Sequence, residues 1–402
     1  MIYFVKLIVL HLIVKYSFEV YVNKLFLVPY ILKKAIVSVT NDLITDRRVH
    51  RSCITLKKLG FDVLLVGRKR RNSLLLEHRE YNTHRMRLIF EKGFLFYAEY
   101  DLRLFFFLLF KKCNLLVSND LDTLLPNYLV KKIRNKEIVY DSHEYYTGVP
   151  ELERRKFVQS TWKRIEKWIF PKIQDIITVN DSIAQIYRNE YNKELTVVRN
   201  IPSIYKLNTP RSKKELGIDE TKSMILLQGA GINIDRGAEE AVMAMQYVDN
   251  AILYIIGDGD VIDILKKNVT ENRLVQKVIF IPKQPMEKLF QYTIHADIGL
   301  TLDKDTNINY RYSLPNKLFD YIHAGVPVLA SPLFEVKKII QQYNIGQIIE
   351  NHNPEHIGFM INQILNDSEK LKNYKNNLLK AAKELCWENE ESKLIAVLEK
   401  YA

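Results

Sequence analysis

Hydrophobic residues recur along this chain in short runs, and longer amphipathic stretches separate one run from the next. In the first half the runs lie at 35–39, 62–67, 114–118, 137–141, 175–179 and 195–198. The stretches between them repeat apolar residues at helical spacing. These predicted helices lie at 47–59, 122–134, 152–168 and 182–191. Strands that alternate with helices of this length are typical of βαβ units, so the pattern predicts a parallel sheet.

After a polar segment near 200–222, the same alternation begins again. Its strand-like runs lie at 224–228, 251–257, 277–281, 297–302 and 326–331. The whole pattern predicts an α/β protein of two doubly wound, Rossmann-like domains that face each other across a cleft. Ligands of such sheets bind beyond the carboxyl ends of the strands, so the residues that follow each strand are the candidates for function.

Five segments describe the predicted organisation of the chain. They are an extension at 1–32, a first domain at 33–205, a linker at 206–222, a second domain at 223–383 and a final helical segment at 384–402. The extension holds a mostly apolar stretch from Ile2 to Val14, which is short for a membrane span and lacks a small-residue cleavage site. It suits either a segment on a membrane surface or an appendage ahead of the first domain, and we favour the appendage.

Charge divides the chain unequally. Residues 1–200 hold 35 of the 59 basic and 21 of the 47 acidic residues, which is a net charge of +14. Residues 201–402 have a net charge of −2, and the sum is the +12 of the whole chain. A basic first half suggests an anionic partner, namely nucleic acid, a membrane face or a phosphorylated ligand, although a solvated basic surface fits equally well. Nucleic acid is disfavoured because the basic run at 68–71 lacks interleaved aromatic residues. The three scattered cysteines are typical of free thiols in a reducing compartment.

The sequence VYDSHEYY at 139–146 places His143 directly after a predicted strand. This position suits a chemically active residue at a sheet edge. It also suits a polar turn that happens to contain a histidine.

Residues 228–242 form a glycine turn that opens a predicted helix and contains Arg236. The dinucleotide-binding fingerprint fails there, because Gly229 and Gly231 are followed by Ile234 where a third glycine is required. Arg236 still suits a phosphate group, although a loop arginine can equally hold a neighbouring carbonyl.

Acidic pairs follow several of the strands. They are Asp120 with Asp122, Asp258 with Asp260, and Asp303 with Asp305. Aspartate is favoured in turns and at helix N-termini, so these pairs are interpreted as local structure, and no metal site is predicted.

The stretch SLPNKLFDYIHAGVPVLAS at 313–331 combines an anion-binding and a hydroxyl-binding feature. Pro315 marks a helix start, where unpaired N–H groups and the positive end of the dipole favour an anion, and Lys317 adds a full charge. Asp320, one turn later, suits the hydroxyls of a ribose. The same segment is also an ordinary amphipathic helix, but that interpretation does not account for the PNK sequence.

The order of these segments resembles bacterial glycosyltransferases of family 4, the group 1 type, which have the GT-B fold. The resemblance covers about residues 33–400 and rests on these pieces: TNDLITDRRV, VSNDLDTL, VYDSHEYYTGVPEL, ITVNDSIAQIY, VVRNIP, GAGINIDRG, IIGDGD and LPNKLFDYIHAGVPVLAS. It implies a retaining, metal-independent transfer of a sugar from a nucleotide-sugar, with no cofactor. It also implies that the donor binds the second domain, the acceptor binds the first, and a last helix at 393–401 crosses back to the first domain.

The resemblance also implies roles for single residues. His143 matches the cleft histidine, Arg236 and Lys317 match groups at the donor diphosphate, and Asp320 matches the ribose-binding acid. The full implied donor set is Gly229, Arg236, Gly257, Asp258, Tyr312, Asn316, Lys317, Leu318 and Asp320. The implied acceptor set is Asn41, Asp46, Arg47, Asn119 and Asp120.

Two departures from the family pattern stand in the donor set. Ala230 occupies the position of a usual arginine, and Tyr312 and Asp320 replace a pair of glutamates. A non-catalytic, donor-binding or scaffolding relative therefore remains the alternative to an active enzyme.

The expected acceptor is a glycan or a polyprenyl-phosphate-linked sugar in bacterial surface polysaccharide synthesis. Such an enzyme is expected in the cytoplasm, either free or peripheral on the anionic inner face of the membrane. The aromatic and basic segment at 91–112 suits contact with lipid, although a buried helix flanked by lysines is favoured slightly.

Overall fold

The computed structural model describes residues 32–44, 46–153, 155–204 and 209–402. All but the last residue of the predicted extension at 1–32 lie outside the described residues, as do the first positions of the predicted linker at 206–222. Side chains 151 and 153 also lie outside them.

A seven-stranded parallel sheet forms the first domain, in the order β3-β2-β1-β4-β5-β6-β7. Its strands are β1 Lys34–Ser38, β2 Asp62–Lys69, β3 Asn82–Arg87, β4 Leu115–Asn119, β5 Glu137–Ser142, β6 Asp175–Thr178 and β7 Thr196–Val197. The strand order reverses between β1 and β4, so the carboxyl ends of β4 and β5 lie beside the point where ligands bind in doubly wound sheets.

A six-stranded parallel sheet forms the second domain, in the order β10-β9-β8-β11-β12-β13. Its strands are β8 Ser223–Gly229, β9 Ala251–Gly257, β10 Val278–Pro282, β11 Ile298–Thr301, β12 Val328–Ala330 and β13 Gly346–Ile348. The prediction of two Rossmann-like sheets is therefore confirmed.

Helices cover both faces of each sheet. In the first domain they are Arg47–Lys58, Gly93–Phe110, Leu121–Arg134, Pro150–Glu153, Lys156–Ile169 and Asp181–Tyr191. In the second they are Ala238–Ala244, Ile262–Glu271, Met286–Thr293, Ile308–Arg311, Asn316–Ala324, Phe334–Tyr343, Pro354–Asn366 and Ser368–Glu384, and the chain ends with Trp387–Leu398. Burial of both faces explains why a strand such as β9, with the sequence AILYIIG, has no polar side chain apart from its tyrosine.

Two strands have no counterpart among the predictions. β3 has the sequence NTHRMR and lies at a sheet edge, where its side chains are largely exposed and no hydrophobic run is needed. β13 has only three residues. The predicted helix at 152–168 is in fact two helices, because a hydrogen bond of 2.9 Å from Arg155 N to Leu152 O closes the first one early.

The C-terminal helix Trp387–Leu398 packs against the first domain, as expected. The backbone N–H of Trp387 donates to Pro202 O at 3.0 Å, and the guanidinium of Arg51 lies over its ring. Glu390 is buried and accepts from Arg199 Nε at 3.0 Å. These contacts hold the C-terminal helix against the first domain.

The helix Gly93–Phe110 is neither wholly buried nor wholly exposed. Phe96, Tyr100, Leu104 and Leu108 face the core, whereas Phe94 and Phe110 are 73% and 79% exposed. The predicted helix is therefore present, with one side buried and with exposed phenylalanines at both ends, and its contact with lipid stays a prediction. In the part of the chain that the structure describes, no helix is both long and apolar enough to cross a membrane. The three cysteines are buried and unpaired, as expected.

Candidate active site between the two sheets

A cavity of about 410 Å³ lies between the domains, at the carboxyl ends of both sheets. The first domain lines it with Asp46, Arg48, His143 and Glu144, and the second with Asn233, Arg236, Tyr310, Pro315 and Asn316, among others. At one side the domains meet directly, because Tyr145 N donates to Asn309 Oδ1 and Asn309 Nδ2 donates to Tyr145 O, both at 3.0 Å. His143 and Arg236 are far apart in the sequence, but both line this cavity.

His143 follows β5 and is held by acidic groups on neighbouring strands. Its backbone N–H donates to Asp120 Oδ1 at 2.9 Å, and its Nδ1 lies 3.2 Å from Asp120 Oδ2. Its Nε2 lies 3.2 Å from Asn119 Oδ1 and 3.5 Å from Asp141 Oδ2. Both ring nitrogens therefore face oxygen acceptors, an arrangement that suits an imidazolium with two N–H donors.

The acidic surroundings determine the charge of this ring. Burial lowers the pKa of His143, but the charges of Asp120 and Asp141 outweigh it and raise that pKa to about 9. Burial also raises the pKa of Asp120, and the nearby imidazolium opposes this effect. His143 is consequently cationic at neutral pH.

Asp120 has an unusual backbone conformation. Its φ of 58° and ψ of 166° lie in a region that is normally reserved for glycine. It precedes the helix Leu121–Arg134 without capping it through its side chain. The strained backbone instead directs the carboxylate to His143, which is the kind of arrangement found at functional sites.

Arg48 is a member of the site that the sequence did not reveal. It forms a buried ion pair with Asp141, behind the ring of His143. The acceptor prediction named its neighbour Arg47, which is exposed. The sequence does contain a signal for the start of this helix, because Asp46 is a favoured N-cap residue and accepts from Val49 N at 3.0 Å. The position of the helix start determines that Arg48 faces inward and Arg47 faces solvent.

Across the cavity, Asp303 joins the two predicted cations. Its Oδ1 accepts from Arg236 Nη1 at 3.0 Å, and its Oδ2 lies 3.3 Å from Lys317 Nζ. Burial opposes the charge of Asp303, but Lys317 and Arg236 lower its pKa below the ordinary value. Arg236 also stacks on Tyr310, with 4.2 Å from the guanidinium carbon to the ring centre. The Asp303 side chain, interpreted from the sequence as a turn residue, therefore positions both cations.

The helix Asn316–Ala324 begins beside these cations. Pro315 occupies its N-cap position with no side-chain cap, and both Pro315 and Asn316 line the cavity. Its positive end therefore faces the same space as Arg236. Leu318 is fully buried, and its backbone N–H donates to Pro315 O at 3.1 Å.

Asp320 lies deeper in the second domain. It is 5% exposed, and its Oδ2 accepts from Gln228 Nε2 at 3.0 Å. Its Oδ1 is buried without a hydrogen-bond partner in the described parts of the protein. Burial raises the pKa of Asp320 to about 6, although Arg47 and Arg51 of the first domain oppose this shift. An acceptor atom without a donor suits a hydroxyl ligand.

The remaining donor candidates lie at the ends of β8 and β9. Gly229 and Gly257 pair across these strands, and a Cβ at Gly257 would stand 1.8 Å from Gly229 O. Asp258 is exposed, and its carbonyl accepts from Ile232 N at 2.9 Å. Tyr312 lines the cavity, and its carbonyl accepts from Asn180 Nδ2 at 2.7 Å.

The acceptor candidates from the first domain divide into two groups. Asn119 and Asp120 contact His143, whereas Asn41 donates to Asp46 at 2.5 Å on the other side of the site. Within the described ranges, no group of three or more His, Cys, Asp or Glu side chains is arranged to hold a metal ion.

Two facing, doubly wound sheets with a returning C-terminal helix define the GT-B class of fold. The family model described as Glycosyl transferases group 1 matches residues 208–381, and the model described as Glycosyltransferase Family 4 matches residues 45–201. The chain belongs to this glycosyltransferase family, whose members transfer sugars from nucleotide-sugars. A comparison with curated protein sequences finds no match.

Solved structures confirm the fold. Sucrose-phosphate synthase from Thermosynechococcus elongatus has a TM-score of 0.75 and 15% identity, over 92% of this chain and 98% of that one. Anabaena HepE in complex with UDP-glucose has a TM-score of 0.71 and 13% identity, over 91% and 99% of the two chains. WaaG, a glycosyltransferase involved in lipopolysaccharide biosynthesis, has a TM-score of 0.69 and 14% identity, over 90% and 99%.

Proposed function

We propose that this protein is a retaining hexosyltransferase that moves a sugar from a UDP- or GDP-sugar to a lipid-linked or glycan acceptor of bacterial surface polysaccharide synthesis. The observation that carries the proposal is the shared cavity, in which His143 of one sheet faces Arg236 of the other. Support for the choice of donor comes from HepE, which has been solved with UDP-glucose. Support for the choice of pathway comes from WaaG, which is involved in lipopolysaccharide biosynthesis.

In this proposal the second domain binds the diphosphate of the donor. Breaking the bond between sugar and phosphate leaves additional negative charge on the nucleotide diphosphate. Arg236 and the helix end at Asn316 line the cavity where this group would bind, and Lys317 contacts the same Asp303 as Arg236. Donors that are fixed before the reaction need no reorganisation during it. Loss of one such donor typically costs about 3 kcal/mol of transition-state stabilisation.

Asp303 keeps these cations in place between turnovers. It is fully buried and contacts both, so it offsets one of their two charges while it fixes their geometry. The pair therefore offers the diphosphate a net charge of about +1 together with the helix dipole, without requiring a divalent ion.

His143 acts as a positioning residue in this proposal. Its ring is an imidazolium, which repels a cation-like sugar carbon and therefore does not stabilise that centre directly. The negative charge near the reacting carbon comes instead from Asp120, which His143 binds through its backbone N–H and its ring. Family resemblance implies that the acceptor attacks from the face that the diphosphate leaves, which retains the configuration.

Binding and turnover of nucleotide-sugars test the proposal separately. Titration with UDP and GDP should give an affinity that Arg236→Gln lowers 10- to 100-fold, because a charge-assisted contact is lost. Arg311→Gln is the matched control, since Arg311 is also an arginine paired with an aspartate, Asp305, but its side chain is 55% exposed. Equal losses in the two variants would contradict the assignment of Arg236.

Turnover distinguishes the enzyme from a donor-binding scaffold. Incubation with a panel of UDP- and GDP-sugars should release free nucleotide, and His143→Ala should abolish this release while nucleotide binding remains. Binding by the unaltered protein without release from any sugar of the panel, with acceptors supplied, would favour the scaffold.

A further inference from the structure

A second, larger cavity lies in the first domain, beside the site described above. It has a volume of about 1160 Å³ and lies between the helices Gly93–Phe110, Leu121–Arg134 and Lys156–Ile169. Its walls are mainly apolar, with Tyr97, Leu102, Phe105, Leu125, Leu129 and Trp162 among them. We call this cavity the acceptor groove. Its volume is sufficient for a chain of a dozen or more carbon atoms.

One end of the acceptor groove is acidic. Asp101, Asp120, Asp122 and Glu144 line it there. Asp122 Oδ2 accepts from Thr40 Oγ1 at 2.6 Å, but its Oδ1 is buried without a hydrogen-bond partner in the described residues. Asp101 Oδ1 is in the same situation. Buried polar atoms without partners are costly, so their presence in a cavity wall indicates a ligand that forms hydrogen bonds with them.

This acidic end adjoins the site of sugar transfer. Asp120 lines the groove, and the same carboxylate contacts the backbone N–H and the ring of His143. Glu144, the residue that follows His143, lines both cavities. A molecule in the groove with its polar end at Asp122 therefore reaches the reaction site directly.

We propose that the acceptor groove binds an amphiphilic acceptor, whose hydroxyl-bearing head, a sugar or polyol, donates to Asp101 and Asp122 while its aliphatic tail lies along the three helices. This inference rests on the proposed function and specifies its acceptor class. Asp101 and Asp122 are binding residues in this scheme, and neither was predicted from the sequence.

The charges at the acidic end decide which part of the acceptor lies there. Burial together with Asp120 raises the pKa of Asp122 to about 7, and burial together with Asp122 raises the pKa of Asp101. Carboxyl groups exchange hydrogen bonds with hydroxyls in either protonation state, and the negative charge that the cluster retains repels a phosphate. An anionic group on the acceptor, such as a polyprenyl phosphate, is therefore expected farther along the groove, where Arg155 belongs to the lining.

Direct binding of alkyl glucosides tests the groove without requiring turnover. Hexyl, octyl, decyl and dodecyl glucoside, each below its critical micelle concentration, are titrated into the whole chain by calorimetry. Affinity should rise roughly fourfold per added methylene group until the groove is filled. Ala98→Trp should remove this dependence on chain length, because Ala98 lines the groove. Leu95→Trp is the matched control, since Leu95 is an exposed residue of the same helix outside the groove lining.

The head is tested with Asp122→Asn and Asp101→Asn. Each variant should bind dodecyl glucoside at least tenfold more weakly, while its affinity for UDP stays within twofold of the unaltered protein. Its affinity for dodecyl phosphate should move closer to its affinity for the glucoside. The proposal that alkyl chains bind in the groove would be wrong if affinity did not depend on chain length. It would also be wrong if both tryptophan variants reduced affinity equally. Tighter binding of dodecyl phosphate than of the glucoside by the unaltered protein would overturn the head assignment.

A protein partner is the remaining occupant, and it is tested by sedimentation. If Ala98→Trp changed the sedimentation coefficient of the protein but left glucoside binding intact, the groove would be a protein interface and the proposal would fail. Failure of the glucosides to bind while nucleotide release persists would contradict the groove alone. Loss of UDP binding and release would contradict the proposed function.

Discussion

Arg48 and Asp141 form a buried ion pair behind the ring of His143. Arg48 Nη2 lies 2.6 Å from Asp141 Oδ1, and Nε donates to Oδ2 at 3.0 Å. Both side chains are 4% exposed, and Arg48 Nη1 also donates to Val198 O at 2.6 Å. The pair connects the helix Arg47–Lys58 to β5 and holds one of the two carboxylates that keep His143 protonated.

The first prediction concerns this ion pair. Arg48→Met leaves the buried carboxylate of Asp141 without its partner, so the free energy of unfolding should fall by about 3–5 kcal/mol. Urea denaturation measures the change. Arg47→Met is the control, because Arg47 is exposed one position earlier on the same helix, and its effect should stay within about 0.5 kcal/mol. Similar losses in the two variants would show that the pair is not required for stability.

The second prediction concerns pH. Because the folded pKa of His143 is raised from 6.5 to about 9, the contribution of this residue to stability is fully present below pH 6.5 and is lost as the pH rises through 9. The difference in unfolding free energy between the unaltered protein and His143→Gln should therefore decrease by roughly 2–3 kcal/mol across this window. Urea denaturation at several pH values measures it, and a difference that grows with pH would refute the assigned shift.

The third prediction concerns the strained backbone at Asp120. Asp120→Gly and Asp120→Ala both remove the carboxylate, but only glycine adopts this conformation without strain. The glycine variant should be more stable than the alanine variant by about 1–2 kcal/mol. Both variants should lose sugar transfer, because both lack the carboxylate that contacts His143. Stability therefore reports the backbone strain, and activity reports the role of the side chain. If the alanine and glycine variants unfolded at the same temperature, the backbone at this position would not be strained.

The fourth prediction uses the two glycines at the ends of β8 and β9. Gly257→Ala should destabilise the second domain by at least about 2 kcal/mol, because its Cβ would stand 1.8 Å from Gly229 O. Gly229→Ala should remain within about 1 kcal/mol of the unaltered protein, since its nearest neighbour would be Ile232 Cγ1 at 3.7 Å. Thermal unfolding of the pair compares them, and equal losses would contradict the close packing of the strands.

Exposed phenylalanines at the two ends of the helix Gly93–Phe110 lead to a fifth prediction. Phe94 and Phe110 lie on a domain with a strongly basic composition, and this combination is typical of proteins that bind anionic lipid surfaces. Phe94→Ser together with Phe110→Ser should reduce flotation of the protein with vesicles that contain phosphatidylglycerol. Phe334→Ser is the control, because Phe334 is an exposed phenylalanine of the second domain. Unchanged flotation of the double variant would exclude these two phenylalanines as lipid contacts.

Much of the site followed from local pattern. A histidine after β5, a glycine turn with Arg236 after β8 and a proline at the start of the helix Asn316–Ala324 each stand beside a strand end. Because parallel strands end at one edge of a sheet, these residues had to approach the same region. The residues that escaped prediction, Arg48, Asp303 and Asp122, act through partners that are distant in sequence or through a cavity.

The sequence by itself determined the strands and helices, since apolar runs and helical spacing reflect local burial, and it determined the family through the order of its motifs. The tertiary structure alone decided that Arg48 pairs with a carboxylate 93 positions away, and that Asp303 lies between two cations. It also decided that three helices leave an apolar groove ending at Asp122. The reason is physical: periodicity reports whether a side chain is buried, but the order of strands and the packing of helices determine which side chains it meets.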